Sequence, residues 1–193
     1  MDKIILTSFG IHTSLGYRLI ASKVQEEELK QQKILLITLP EYEIDERLLR
    51  ACVSMGFLEK NVVVFREEKL KEIENNFFDY IYVSEGNTFE ILEYMRENNL
   101  ISWIQNNRKQ GANYIGASAG AHIAGMNIEA AIPFDRNRVQ MTNFEGLRLF
   151  EGVVIPHFDA TDGKRFLSYK MARDSGRYQN VYTVGNEDIL VLE

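Results

Sequence analysis

Short runs of β-branched and aromatic residues alternate with longer amphipathic stretches along nearly the whole chain, and this alternation constrains the fold more than any other feature. Lys3–Thr7 (KIILT), Lys33–Thr38 (KILLIT), Val62–Phe65 (VVVF) and Tyr80–Ser84 (YIYVS) are near-continuous apolar runs, the pattern of strands covered on both faces by helices. Asn113–Gly116, Gly152–Ile155, Val181–Val184 and Ile189–Leu192 read as further strands. Helices are expected at Leu15–Gln31, Ile44–Met55, Glu68–Asn75, Thr88–Glu97, Asn99–Lys109, Ser118–Gly125 and Gly163–Ala172, with Asp45 and Glu46 in a first turn and Gly56 and Gly111 as stops. Such β–α alternation implies an α/β architecture: a doubly wound, mostly parallel sheet flanked by helices, joined by right-handed crossovers. No repeat, linker or composition shift divides the chain, so residues 1–193 read as one domain.

Composition narrows the partners. The 22 Lys+Arg against 28 Asp+Glu leave a net charge of −6, which gives no global attraction to nucleic acid or anionic lipid. The aromatic residues show no basic interleaving of the kind RNA binding uses, so they read as core. No stretch approaches the ~20 apolar residues of a membrane span, and the amino terminus lacks a secretory h-region, so the expected location is the cytoplasm. The single cysteine, Cys52, lies in an apolar helical stretch and reads as buried filler, excluding an internal disulfide. There is no phosphate-binding glycine loop and no His/Cys cluster at metal-ligand spacing, so neither a cofactor nor a metal is expected. An exposed strand edge or helix face would suit a homodimer.

In doubly wound sheets ligands bind beyond the carboxyl ends of the strands. The loops there are Ser8–Ser14, Leu39–Tyr42, Ser84–Asn87, Ala117–Ala121 and Pro156–Asp162. Residues 116–120 read Gly-Ala-Ser-Ala-Gly between a strand and a helix, a G-x-S-x-G elbow in the context that motif needs. Small flanking residues let the chain turn sharply, which exposes Ser118 as a nucleophile and aims the Ala119 amide at a developing oxyanion. A serine nucleophile needs a base, and three histidines are available. His157, just past a strand, falls on the edge that carries Ser118; His12 could line the pocket, and His122 suits a structural role as well as a catalytic one. For the carboxylate that orients the base, Glu187 is preferred, followed by Asp188 and Asp135, while Asp159 is too near His157 in sequence. Gly86 and Asn87 form a second turn at this edge, whose amides could complete the oxyanion hole while Asn87 or Thr88 caps the next helix.

With these residues the chain resembles the S51 serine peptidase family, which holds peptidase E (aspartyl dipeptidase) and cyanophycinase. The match rests on GNTFEIL at 86–92, GASAGA at 116–121 and LRLFEGVVIPHF at 147–158, in order and at fitting spacing over nearly the whole chain. The resemblance implies a fold related to class I glutamine amidotransferases, with Ser118 as nucleophile, His157 as general base, and the Gly86 region with the Ala119 amide as oxyanion hole. It also implies a small peptide substrate, including dipeptides with an amino-terminal aspartate, for which Lys164, Arg165, Arg173 and Arg177 are candidate cations. Glu85 stands where the family shows glycine, and a carboxylate there narrows the site or repels an acidic side chain. An esterase on the same elbow, and a ligand-binding protein without turnover, remain the alternatives.

Overall fold

The computed structural model describes residues 2–24, 29–40, 45–66 and 70–193. In chain order the elements are β1 (Ile4–Thr7), α1 (Ser14–Ala21), β2 (Ile34–Ile37), α2 (Asp45–Met55), β3 (Val62–Val64), α3 (Leu70–Glu74), β4 (Tyr80–Val83), α4 (Thr88–Glu97), α5 (Leu100–Lys109), β5 (Asn113–Ala117), α6 (Ala119–Ala124), β6 (Val153–Pro156), α7 (Gly163–Asp174), β7 (Val181–Val184) and β8 (Ile189–Leu192). The helix expected over Leu15–Gln31 is shorter: α1 ends at Ala21 and a turn follows at Ser22 and Lys23. Residues 25–28 of that stretch, Tyr42 of the second loop, and the helix starts at Ile44 and Glu68 lie outside the described residues.

Among the described residues six strands form one sheet in the order β3–β2–β4–β5–β1–β8. All neighbours run parallel except β8, which pairs antiparallel with β1 and closes that edge. Apolar runs do not reveal which sheet a strand joins, and β6 and β7 pair parallel with each other as a separate two-stranded sheet.

The uninterrupted apolar strands are explained by burial on both faces. Along β1, Ile4 and Leu6 enter one core layer while Ile5 enters the other; Leu35 and Ile37 of β2 oppose Ile34 and Leu36 in the same way. One layer is covered by α4, α5 and α6 through Phe89, Leu92, Met95, Leu100, Ile104 and Ile123. The other is covered by α1 and α2 through Ile20, Leu48, Cys52 and Met55. Cys52 is fully buried there as filler, and burial pushes its thiol up to about 12, so it stays protonated.

This topology fixes where chemistry can occur. β5 lies between β4 and β1, so the loops that follow these three strands converge at one point of the carboxyl edge.

Candidate active site

Ser118 stands at the end of β5 with φ 49° and ψ −101°, a conformation an L residue holds only at a cost of about 1–3 kcal/mol. The surroundings impose it. Its amide donates to the Thr7 carbonyl at 2.9 Å on the β1 side, and the Gly120 amide donates to the Ser84 carbonyl at 3.2 Å on the β4 side. Tyr114, buried in β5, donates its hydroxyl to the Gly120 carbonyl at 2.8 Å. The two glycines of the motif allow this closeness: a Cβ on Gly120 would lie 2.2 Å from the Val83 carbonyl oxygen, and one on Gly116 would lie 2.5 Å from the Gly120 oxygen. The small residues of G-x-S-x-G therefore press α6 onto β4 and β5 and leave Ser118 at the turn.

The candidate base approaches from the smaller sheet. His157 follows β6, also with a positive φ of 53°. Its Nε2 lies 3.0 Å from Ser118 Oγ, and its Nδ1 lies 2.9 Å from the side-chain oxygen of Asn186. The acceptor at Asn186 selects the tautomer with Nδ1 protonated, leaving the Nε2 lone pair facing the serine hydroxyl. Phe9 packs edge-on against the ring at a centroid distance of 5.1 Å. Burial holds the imidazole below its ordinary value; the Asn186 hydrogen bond opposes this, Arg165 adds to the lowering, and Glu85 and Asp135 act upward. The ring is therefore neutral around pH 7, the state in which it accepts a proton.

The side chain that meets His157 Nδ1 differs from the one expected from sequence. Glu187, expected to orient His157, is exposed, and the side chain on Nδ1 belongs to its neighbour Asn186. On this strand-to-strand turn Asp188 folds back to accept the Gly185 amide at 3.0 Å, and Asn186, one residue before Glu187, meets the ring. Asp135 accepts the Thr88 amide at 2.8 Å and the Thr88 hydroxyl at 2.5 Å at the start of α4 and makes no hydrogen bond to the His157 ring. The signal for Asn186 was present in Gly185-Asn186-Glu187, but a search restricted to carboxylates passes over an amide, which offers the same acceptor oxygen without the charge.

The remaining candidates divide. Ala119 is the first residue of α6, so its amide has no acceptor within the helix and lies beside Ser118. Gly86 stands in the turn after β4 with a φ of 145°, while Asn87 is a helix cap: its oxygen accepts from Phe89 and Glu90 at 3.0 and 3.2 Å, and its Nδ2 donates to the Arg136 carbonyl. The Asn87 side chain is thus committed to protein contacts. Glu85 reaches the loop after β1, where it accepts the Gly10 amide at 3.1 Å and meets His12 Nε2 at 2.8 Å. Arg165 donates to the Pro156 carbonyl at 3.0 Å and lies 3.5 Å over the Phe134 ring, next to His157. Arg177 instead pairs with Glu129, Arg173 reaches Tyr169, and Lys164 is exposed.

His122 lies on α6 one turn after Ser118 but is 4% exposed and points into the core. Burial, with Arg165 and His157 adding to it, lowers its pKa to about 3, opposed by a hydrogen bond to the Val154 backbone. It is a neutral core residue. Because the unfolded chain binds that proton near pH 6.5 and the folded chain does not until about pH 3, stability is unaffected above pH 6.5 and falls as pH drops toward 3. His122→Gln is expected to flatten this acid limb in denaturant titrations between pH 4 and 7; an unchanged slope would show that His122 does not drive it.

A cavity of about 360 Å³ lined by Ile132, Pro133, Val153, Met171 and Tyr178 opens at the start of β6, away from the His157 end. Among the described residues no group of three or more His, Cys, Asp or Glu side chains is placed to hold a metal ion, and no helix is long and apolar enough to cross a membrane.

The chain is similar in sequence and in fold to known peptidases. The model of peptidase family S51 matches residues 20–193. An uncharacterised peptidase of Listeria monocytogenes is 29% identical over 148 residues, covering 74% of this chain and 71% of its own length. Peptidase E of Salmonella arizonae is 39% identical over 89 residues, covering 46% of this chain and 37% of that enzyme. Among solved structures, a peptidase from an acI-B1 actinobacterium superposes with a TM-score of 0.71 at 15% identity, covering 100% of this chain and 84% of the other, which bears on the fold alone.

Proposed function

This chain belongs to peptidase family S51, and from that premise we propose that it is a serine-type peptidase that cleaves short peptides through Ser118, His157 and Asn186. The observation that carries this reading is the 3.0 Å approach of His157 Nε2 to a serine hydroxyl held at a strained elbow. His157 takes the Ser118 proton as Oγ attacks the scissile carbonyl carbon. The oxyanion is received by the Ala119 amide and a backbone amide of the turn at Gly86. The imidazolium then gives its proton to the leaving amine, whose C–N bond breaks, and water repeats the sequence on the acyl-enzyme.

Asn186 orients the ring but adds no charge to stabilise the imidazolium. Asn186→Ala is expected to lower kcat by about 10- to 100-fold with little change in KM. Asn186→Asp would raise the His157 pKa, so the acid limb of the rate profile is expected to move to higher pH. A kcat and profile unmoved by both changes would remove Asn186 from the mechanism.

Substrate choice is set by charge around this pair. Arg165 is the candidate beside His157 to receive an acidic side chain, while Glu85 and Asp135 oppose one. Hydrolysis of Asp-Leu, Glu-Leu, Ala-Leu, a longer Asp-led peptide and an aminoacyl ester separates the possibilities. Turnover confined to Asp-led dipeptides supports an aspartyl dipeptidase, turnover of the other dipeptides keeps the mechanism without that specificity, and turnover of the ester alone overturns the peptidase reading.

A further inference from the structure

The two reacting side chains come from separate sheets, yet the end of β1 touches the backbone of both. The Thr7 carbonyl accepts the Ser118 amide at 2.9 Å. The next residue, Ser8, is fully buried, and its hydroxyl accepts the His157 amide at 2.7 Å. The same hydroxyl donates toward the carbonyls of Val184 and Gly185, both at 3.0 Å, immediately before Asn186. Consecutive residues of one strand end therefore register the nucleophile, the base and the residue that orients the base.

We propose that Ser8 is a positioning residue whose hydroxyl sets the height and tilt of His157 between Ser118 and Asn186. The inference rests on the Ser118–His157 reading above. His157 holds a left-handed φ of 53° without being glycine, and such a conformation persists only where neighbours over-determine it. Two hydrogen bonds do so: its own amide to Ser8, and the Phe158 amide to the Val184 carbonyl at 2.9 Å. The second uses the carbonyl that Ser8 also engages, so Ser8 sits at the centre of the network. Removing its oxygen leaves the His157 amide without an acceptor, and the base is then free to relax from its strained turn. Phe9, the next residue, packs on the ring and would follow any shift of this strand end.

Ser8→Ala, Ser8→Cys and Ser8→Thr test this in the full chain. Cysteine is slightly larger and a weak acceptor, and threonine keeps the hydroxyl. Alanine and cysteine are expected to slow labelling of Ser118 by a fluorophosphonate, and to lower kcat, by about 10- to 100-fold, with KM within about threefold, because sub-ångström misplacement acts on the reacting geometry rather than on binding. Threonine is expected to retain most of the rate. The imidazole Nδ1–H resonance of His157, sharp when donated to Asn186, should broaden in the alanine and cysteine variants. A folded Ser8→Cys protein with wild-type labelling and an unchanged resonance overturns the proposal. Absence of labelling in the wild type would instead strike the hydrolase reading, and the resonance would still decide whether Ser8 positions the ring.

Discussion

Ser118→Ala is expected to reduce peptide turnover by about 10⁴- to 10⁶-fold while the protein melts within a few degrees of the wild type. The size of the loss follows from the role. Alanine leaves the elbow, the Ala119 amide and the His157–Asn186 pair in place, so what remains is only binding and oxyanion stabilisation acting on water. Stability should barely move, because Ser118 gives the fold little beyond one half-buried hydroxyl contact with His157, and alanine accepts the φ of 49° no more readily than serine does. His157→Ala should cost nearly as much, and the double variant little more than either single one, since the two side chains act as a unit. Steady-state rates on the best dipeptide, with circular dichroism melts alongside, measure this. A Ser118→Ala protein retaining a tenth or more of the activity would remove Ser118 as nucleophile and return attention to a water-attack mechanism.

The pairing of Ser118 with His157 in the candidate site was legible because its signals are local. The elbow needs glycine at two fixed positions around a serine between a strand and a helix, and those residues announce themselves within five positions. The sheet was legible for a similar reason: burial on both faces turns each strand into an apolar run. The partner of His157 Nδ1 was hidden because it depends on how a strand-to-strand turn is wound. Asp188 caps its own turn through the Gly185 amide while Asn186, not Glu187, meets His157, and which of three adjacent polar side chains does so depends on the winding of the turn. The smaller sheet was hidden as well, since β6 and β7 carry the same kind of apolar run as the strands of the main sheet. Ser8 belongs with these: a serine at a strand end has no sequence signature, and its importance appears only when three loops distant in sequence meet around one hydroxyl.

The elbow's packing carries the largest expected effect on stability. Gly120→Ala is expected to destabilise the protein by about 3 kcal/mol or more, a fall in Tm of roughly 6–12 °C for a chain of this size. The added Cβ would stand 2.2 Å from the Val83 carbonyl oxygen, 2.8 Å from its carbon and 3.0 Å from its Cβ. Two of these three are backbone atoms of a central strand paired on both sides, so no flexible side chain can swing away. Relief requires α6 to lift from β4, which breaks the bond from the Gly120 amide to the Ser84 carbonyl and drags Ser118 from its 3.0 Å contact with His157. Activity should therefore fall with stability, unlike in Ser118→Ala. Gly163→Ala is the control: a Cβ there meets nothing within 4 Å at the start of α7, so it should leave Tm unchanged or raise it slightly. Thermal melts of both variants separate a generic glycine effect from this close approach. Equal Tm values for the two would mean that α6 does not rest on β4 through Gly120, and that the strained serine is held by something else.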